Sequence, residues 1–416
     1  MLAMRTDGED QGFGAELHRG GVAADERCGY RRDDGWLRGQ KKMRTRWLAV
    51  VALVIALPGC APHIATQAPP VMTRAPFPLP SPPAPPNSPC RVVGDVPGRD
   101  GTPAFMRIDP AAAARLAQIG LDRAAIFARM HDTSIPETTG CWAMPTGNFD
   151  SQLVSVGMAQ WNFGTGSLQP VLTRWRDGFG PEPRFRQALA TLAPSYGNLL
   201  FSPGCLTVPV TATCRAAILA AEDAQGRLNP GFEAELRAIF ESDAMLQIQA
   251  ETYIGLLDAV RLDLLRVFPT APITMRKVRW AIDTRVQQGG LPGDEDIARL
   301  RAKLAAMPEA ERWPRLRAIF AWYEALSGTI DQDGIGRDHG WNTARWGCMI
   351  DARAIDAEQY ELLSLTFLRS RTAIGNSGRW QALTFERRAK IILGVGSVSG
   401  VRDGECVEGE VTAIAP

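Results

Sequence analysis

Glu137 and Asp150 bracket a segment holding three Thr and two Gly, and cleavage of a glycosidic bond is the chemistry that needs two acids in different surroundings. One acid must protonate the leaving oxygen while the other, ionised, supports attack on the opposite face of the sugar. Glu137 is flanked by Ile135 and Pro136, with Trp142 close behind. Partial burial among them would favour the protonated form that a donor needs. Asp150 follows the turn signal Thr146-Gly147-Asn148 and precedes Ser151, so it is expected to stay hydrated and ionised. As bland readings, Glu137 is a cap or surface acid and Asp150 a turn residue.

The elements that must position these groups follow from periodicity. The stretch AAAARLAQIGLDRAAIFARM predicts a helix ending near His131, which places Glu137 just past its end. From Leu153 the residues alternate in strand fashion through Gln160, so helix, turn and β-hairpin is the natural local reading. Gln160 and Asn162 offer amides that pair with sugar hydroxyls and acetamido groups, and the Trp161 indole can cover a pyranose ring or simply pack in the core.

These residues carry a resemblance. Pro136-Glu137-Thr138, Gly147-Asn148-Phe149-Asp150, the run Ser155 to Asn162 and the run Gly164 to Pro170 resemble the catalytic block of lysozyme-like glycoside hydrolases near the family 46 chitosanases. In particular they are similar to a group of bacterial peptidoglycan-hydrolase-like proteins. Two later pieces are similar to that family's: Asp283 through Gln287-Gln288-Gly289-Gly290, and Arg387-Arg388-Ala389-Lys390 with Gly394 to Gly400. Pro136 stands where the family has Phe, Ser151 where it has Gly, and Ser399 where it has His. The resemblance implies Glu137 as general acid, Asp150 as the base that activates water with inversion, and Ser155, Gln160, Trp161 and Asn162 as cleft-lining residues. Asp283 and Gln287 are expected to face the cleft from a second helical lobe, with helix capping or internal hydrogen bonding as the alternative.

The N-terminal part speaks of export. In MRTRWLAVVALVIALPGC, residues 43–60, two arginines precede an apolar run ending at Cys60, the arrangement of a lipoprotein signal peptide with Cys60 as the lipidated residue. The run falls short of the ~20 apolar residues a spanning helix needs. Residues 1–42 lack any apolar period and read as an early start or a disordered extension. Residues 61–100 are Pro-rich and predict an extended spacer, at ~3.1 Å per residue, between anchor and domain.

Beyond the leader lie Cys90, Cys141, Cys205, Cys214, Cys348 and Cys406, an even set that suits disulfides in an oxidising compartment. Cys205 and Cys214 form the natural short-loop pair, and the other four allow three pairings. No C-x-x-C is present and His63, His131 and His339 are scattered, so no metal and no cofactor are expected. The run Asp331 to Asp338 resembles part of a calcium loop, yet lacks the acidic fifth position and the closing glutamate; it predicts a solvated loop. Trp341 and Trp346, with Arg345, read as cation-π packing in preference to sugar binding.

Residues 101–412 read as one catalytic domain, mainly α (α+β), two-lobed and lysozyme-like with a small β-hairpin at the cleft. Helices are expected over 182–193, 215–225, 232–268, 273–288, 294–307, 313–326, 357–374 and 385–393. A formal net charge of +1 argues against nucleic acid as a partner. The expected function is an exported, lipid-anchored envelope glycoside hydrolase acting on peptidoglycan or a chitosan-like amino-sugar polymer. The alternatives are a silent polysaccharide-binding lipoprotein and a lytic transglycosylase that uses Glu137 alone.

Overall fold

The computed structural model describes residues 75–83, 90, 107–148, 151–327, 335–373 and 378–415, with side chains excluded at 335–337. Cys60, Asp150 and the residues before 75 lie outside this set. Among the described residues the fold is mainly helical, with small antiparallel sheets.

The N-terminal helices are α1 (Pro110–Ala117) and α2 (Arg123–Thr138). Three two-residue strands follow, β1 (Pro145–Thr146), β2 (Ser155–Val156) and β3 (Trp161–Asn162). The next helices are α3 (Leu168–Gly178), α4 (Glu182–Leu192), α5 (Gly197–Leu200), α6 (Pro203–Leu206), α7 (Ala212–Leu219) and α8 (Pro230–Glu241). The long α9 (Asp243–Val267) then connects to α10 (Met275–Gln288). After these come α11 (Asp294–Ala305), α12 (Glu309–Ser327), α13 (Ile335–Asp351), α14 (Ala357–Ser370) and α15 (Gly378–Leu393). Two hairpins close the chain: β4 (Gly396–Val398) with β5 (Val401–Asp403), and β6 (Glu405–Val407) with β7 (Glu410–Thr412).

Helices α1, α2, α3 and α8 pack on α9, whereas α12 and α14 pack on α15 and α13 packs on α12 and β4; α10 packs on both α9 and α15 and joins the two groups. Each group has an aromatic centre. Trp175 meets Phe179 edge-on at 4.8 Å and Phe201 at 5.3 Å, and Phe385 meets Tyr323 at 5.6 Å and Trp346 at 6.2 Å. Aromatic pairs of this kind add to area burial in fixing one packing.

Several expectations are corrected. Helix α2 does not stop near His131 but runs to Thr138 with Pro136 inside its last turn. A proline that close to the end forfeits a single hydrogen bond, and the chain then leaves through left-handed Thr139, φ 51°. The amides of Thr139 and Gly140 close on the carbonyls of Ile135 and Ser134. The single helix expected over 232–268 breaks at Ser242, whose φ/ψ of −66°/143° is extended. Apolar periodicity continues across the break, but the Ser242 hydroxyl caps α9 by accepting from Met245 N and also accepts from the Trp175 indole. The solvated loop expected over Asp331–Asp338 gives way at Ile335 to α13. Asp338 there is buried and accepts from the Ser397 hydroxyl and from Gly400 N at 3.0 Å.

Part of the Pro-rich segment is tied to the domain. Phe77 N donates to Gly178 O at 2.8 Å, and the Phe77 ring meets Phe179 edge-on at 5.7 Å. Only glycine fits at 178, because a Cβ there would lie 1.9 Å from the Phe77 ring. Cys90 is then bonded to Cys141. The expected Cys205–Cys214 bridge is present, and the remaining pair is Cys348–Cys406. Three disulfides are the signature of an oxidising, exported environment. Among the described residues no helix is long and apolar enough to cross a membrane.

Candidate active site

Glu137 sits in the last turn of α2, its side chain 12% exposed. The apolar neighbours expected from sequence do not define its surroundings, and Trp142 is fully buried with its ring 5.8 Å from Phe127. The carboxylate instead meets donors from two distant helices. Arg387 Nη1 on α15 and Gln287 Nε2 on α10 both donate to Glu137 Oε1 at 2.7 Å. Among the described residues Oε2 has no hydrogen-bond partner.

Asp283, one turn before Gln287 on α10, organises the rest. Arg387 Nε donates to Asp283 Oδ2 at 2.8 Å and Arg388 Nε to Oδ1 at 3.2 Å. Arg388 Nη1 also donates to Gln288 Oε1 at 2.5 Å. Glu137, Asp283, Arg387 and Arg388 therefore form one buried network, in which each Asp283 oxygen serves a different arginine. Burial opposes charge on Arg387, but the carboxylates of Asp283 and Glu137 outweigh it and hold this guanidinium above its ordinary value. Arg388 goes the other way. Burial pushes it down to about 10, with Asp283 opposing the shift.

The sheet residues named from sequence are placed differently. Ser155 and Asn162 face each other across the β2–β3 ladder, and Val156 faces both Pro145 and Trp161. Ser155 is buried. Gln160, at a left-handed φ of 47°, accepts from the Thr146 hydroxyl through Oε1 at 2.7 Å. Trp161 is a core residue, its ring against Gly157, where an added Cβ would come within 2.7 Å of it. Asn162 Oδ1 accepts from both Thr165 N and the Thr165 hydroxyl at 2.8 Å. These amides are thus spent on holding the β2–β3 turn and the 162–167 loop.

Asp150 lies outside the described residues, but its flanks are fixed. Asn148 N donates to Gly226 O at 2.8 Å, and Asn148 Oδ1 accepts from Leu153 N at 2.8 Å. At Gly147 a Cβ would meet Gly226 O at 1.9 Å, so the turn requires glycine there. Ser151 takes φ 65°, a left-handed conformation that glycine adopts without cost.

The structure thus brings together Glu137, Asp283 and Gln287 from the residues named on sequence. Arg387 and Arg388 enter the network although sequence reasoning gave them no role beyond a motif. The available signal was a pair of adjacent arginines in an otherwise amphipathic helix, since α15 buries Arg388 completely and a buried charge demands partners. Comparison of the chain with protein-family models, curated proteins and solved structures returns no match.

Proposed function

We propose that the protein is a glycoside hydrolase of the cell envelope, with Glu137 as the general acid, acting on peptidoglycan or a related amino-sugar polymer. One observation carries the reading: Glu137 Oε1 is fixed by Arg387 and Gln287, while Oε2 has no partner among the described residues. A carboxyl clamped through one oxygen presents the other in a fixed direction, which is what a proton donor to a leaving oxygen requires. Asp150 is the base that removes a proton from the attacking water. That water adds to the anomeric carbon as the leaving sugar takes the proton from Glu137, so configuration inverts. Inverting enzymes hold their carboxyls ~6.5–9.5 Å apart to admit the water. Gln160, Trp161 and Asn162 serve this site indirectly, by holding the β2–β3 turn and the 162–167 loop in place.

Residues 43–60 act as a lipoprotein signal, and Cys60 carries the lipid that holds the enzyme at the membrane; Cys60→Ser then releases the protein into the soluble envelope fraction. The reaction is tested by incubating the protein with purified sacculi and, separately, with chitosan. Hydrated reducing ends with inverted configuration, absent in Asp150→Asn, are expected. Anhydro-muramyl ends would assign a transglycosylase, and retention of configuration would remove Asp150 as base. No products from any amino-sugar polymer would leave a binding lipoprotein as the better reading.

A further inference from the structure

A cavity of ≈ 300 Å³ lies between α2, α10, α15 and the β4–β5 hairpin. Its size is at the lower end of small-molecule sites. Its walls are largely aliphatic, through Ile135, Pro136, Ile282, Val286 and Ile391. The charged groups among them are unevenly matched. Arg387 is engaged by Asp283 and Glu137, and Lys390 Nζ is closed onto Asp403 at 3.1 Å and the Val401 carbonyl at 2.6 Å. Arg129 and Arg279 have only Asp132 between them. Arg129 Nη2 lies 3.0 Å and Arg279 Nε 3.5 Å from the same oxygen, Asp132 Oδ2.

One carboxylate shared by two guanidiniums leaves a positive charge over. Arg129 Nε is moreover buried with no hydrogen-bond partner. A buried donor without an acceptor costs free energy that an incoming acceptor recovers. Guanidinium geometry matches a carboxylate or a phosphate, and of these the aliphatic walls favour a carboxylate on a short apolar body over a bare inorganic anion or a sugar. We propose that this cavity is a ligand site for a carboxylate bearing a short aliphatic side chain, of the kind that ends an alanine-type peptide. Such a group has two sources: peptide stems attached to an amino-sugar polymer, or a free small acid. Recognition of the carboxylate does not depend on Glu137 being catalytic.

The test is titration of the full chain with N-acetylalanine and with N-acetylalaninamide, followed by calorimetry and ligand-observed NMR. The acid is expected to bind saturably and the amide about ten-fold more weakly, because the amide lacks the charge that the guanidiniums complement. Arg279→Gln should bring the acid down to the level of the amide and leave the amide unchanged. Val286→Trp, which fills the cavity, should remove both at an unchanged fold by circular dichroism. Equal binding of acid and amide, or undiminished binding of the acid by Arg279→Gln, overturns the proposal. A soluble disaccharide-peptide that displaces N-acetylalanine and binds more than about ten-fold tighter identifies the stem as the source, and equal affinities identify the free acid. Neither readout uses turnover, so an inactive enzyme leaves the result standing.

Discussion

The carboxylate of Glu137 and the guanidinium of Arg387 stand 250 residues apart in sequence and meet at 2.7 Å. This contact fastens the last turn of α2 to α15, and because the same guanidinium holds Asp283, a change at either acid is felt by the other. Glu137, Arg387 and Asp283 therefore behave as a unit in which stability and chemistry can be separated by choosing the substitution.

Glu137→Gln separates them in one direction. The amide oxygen can still accept from Arg387 and Gln287, and Asp283 remains as the counter-charge that Arg387 shares with Arg388. Stability is expected to fall by only about 1–3 kcal/mol, whereas cleavage of a polymer that the parent cuts should drop by at least ~100-fold with the proton lost. Denaturant midpoints and initial rates on the same preparation check this, and near-parental rates would remove Glu137 as the acid.

Asp283→Asn separates them in the other. Its side chain is 8% exposed and is the counter-charge for both Arg387 and Arg388. Removing one partner from a buried pair costs about 3–5 kcal/mol, so this variant should be less stable than Glu137→Gln. A midpoint at or above that of Glu137→Gln would mean that Asp283 is not the centre of the network.

Much of this site could be read from the chain, and what was missed has a common cause. Glu137 was legible because it sits in a dense local pattern and Asp283 and Gln287 through a sparser helix-end motif, and helices such as α4 and α10 follow their apolar period within a residue or two. The roles of Arg387 and Arg388 were not, because their partners lie a hundred residues or more away. Helix α13 escaped notice because its first residues, Ile335-Gly336-Arg337-Asp338, have the composition of a loop. Its later aromatics are explained only by tertiary packing: Trp341 lies 4.7 Å from Arg345 and 5.4 Å from Arg402, and the Trp346 indole donates to Val395 O at 2.8 Å. The β4–β5 hairpin is two three-residue strands joined at left-handed Ser399 and Gly400, too short for alternation to register.

Disulfide contributions should rank by the loop each closes. Cys90–Cys141 and Cys348–Cys406 span 51 and 58 residues, against 9 for Cys205–Cys214. On the loop-entropy account the two long bridges each contribute about 4 kcal/mol and the short one about 2.5 kcal/mol. Paired Cys→Ser variants compared by chemical denaturation read the order directly, and a Cys205/Cys214 variant as unstable as the other two would contradict it.

Glu386 gives stability a pH dependence of its own. It is 2% exposed on α15 and is bonded to the Tyr323 hydroxyl. Burial pushes its carboxyl up from 4.5 to about 7; the Tyr323 hydrogen bond and Lys390 oppose this, and the Asp338 charge adds to it. The tyrosine is raised well above its usual range by burial and by the neighbouring Glu386. Because the folded-state value is the higher one, the native state favours the proton. Its stabilising contribution is complete below about pH 4.5, drains as pH rises toward about 7, and falls no further above that. The slope in that window is at most about 1.4 kcal/mol per pH unit from this group, a loss on the order of 3 kcal/mol. Glu386→Gln keeps an oxygen to accept from Tyr323 and cannot ionise. Urea midpoints measured from pH 4 to 8 should therefore fall more steeply between 4.5 and 7 for the parent than for Glu386→Gln, and parallel curves would show that Glu386 does not titrate there.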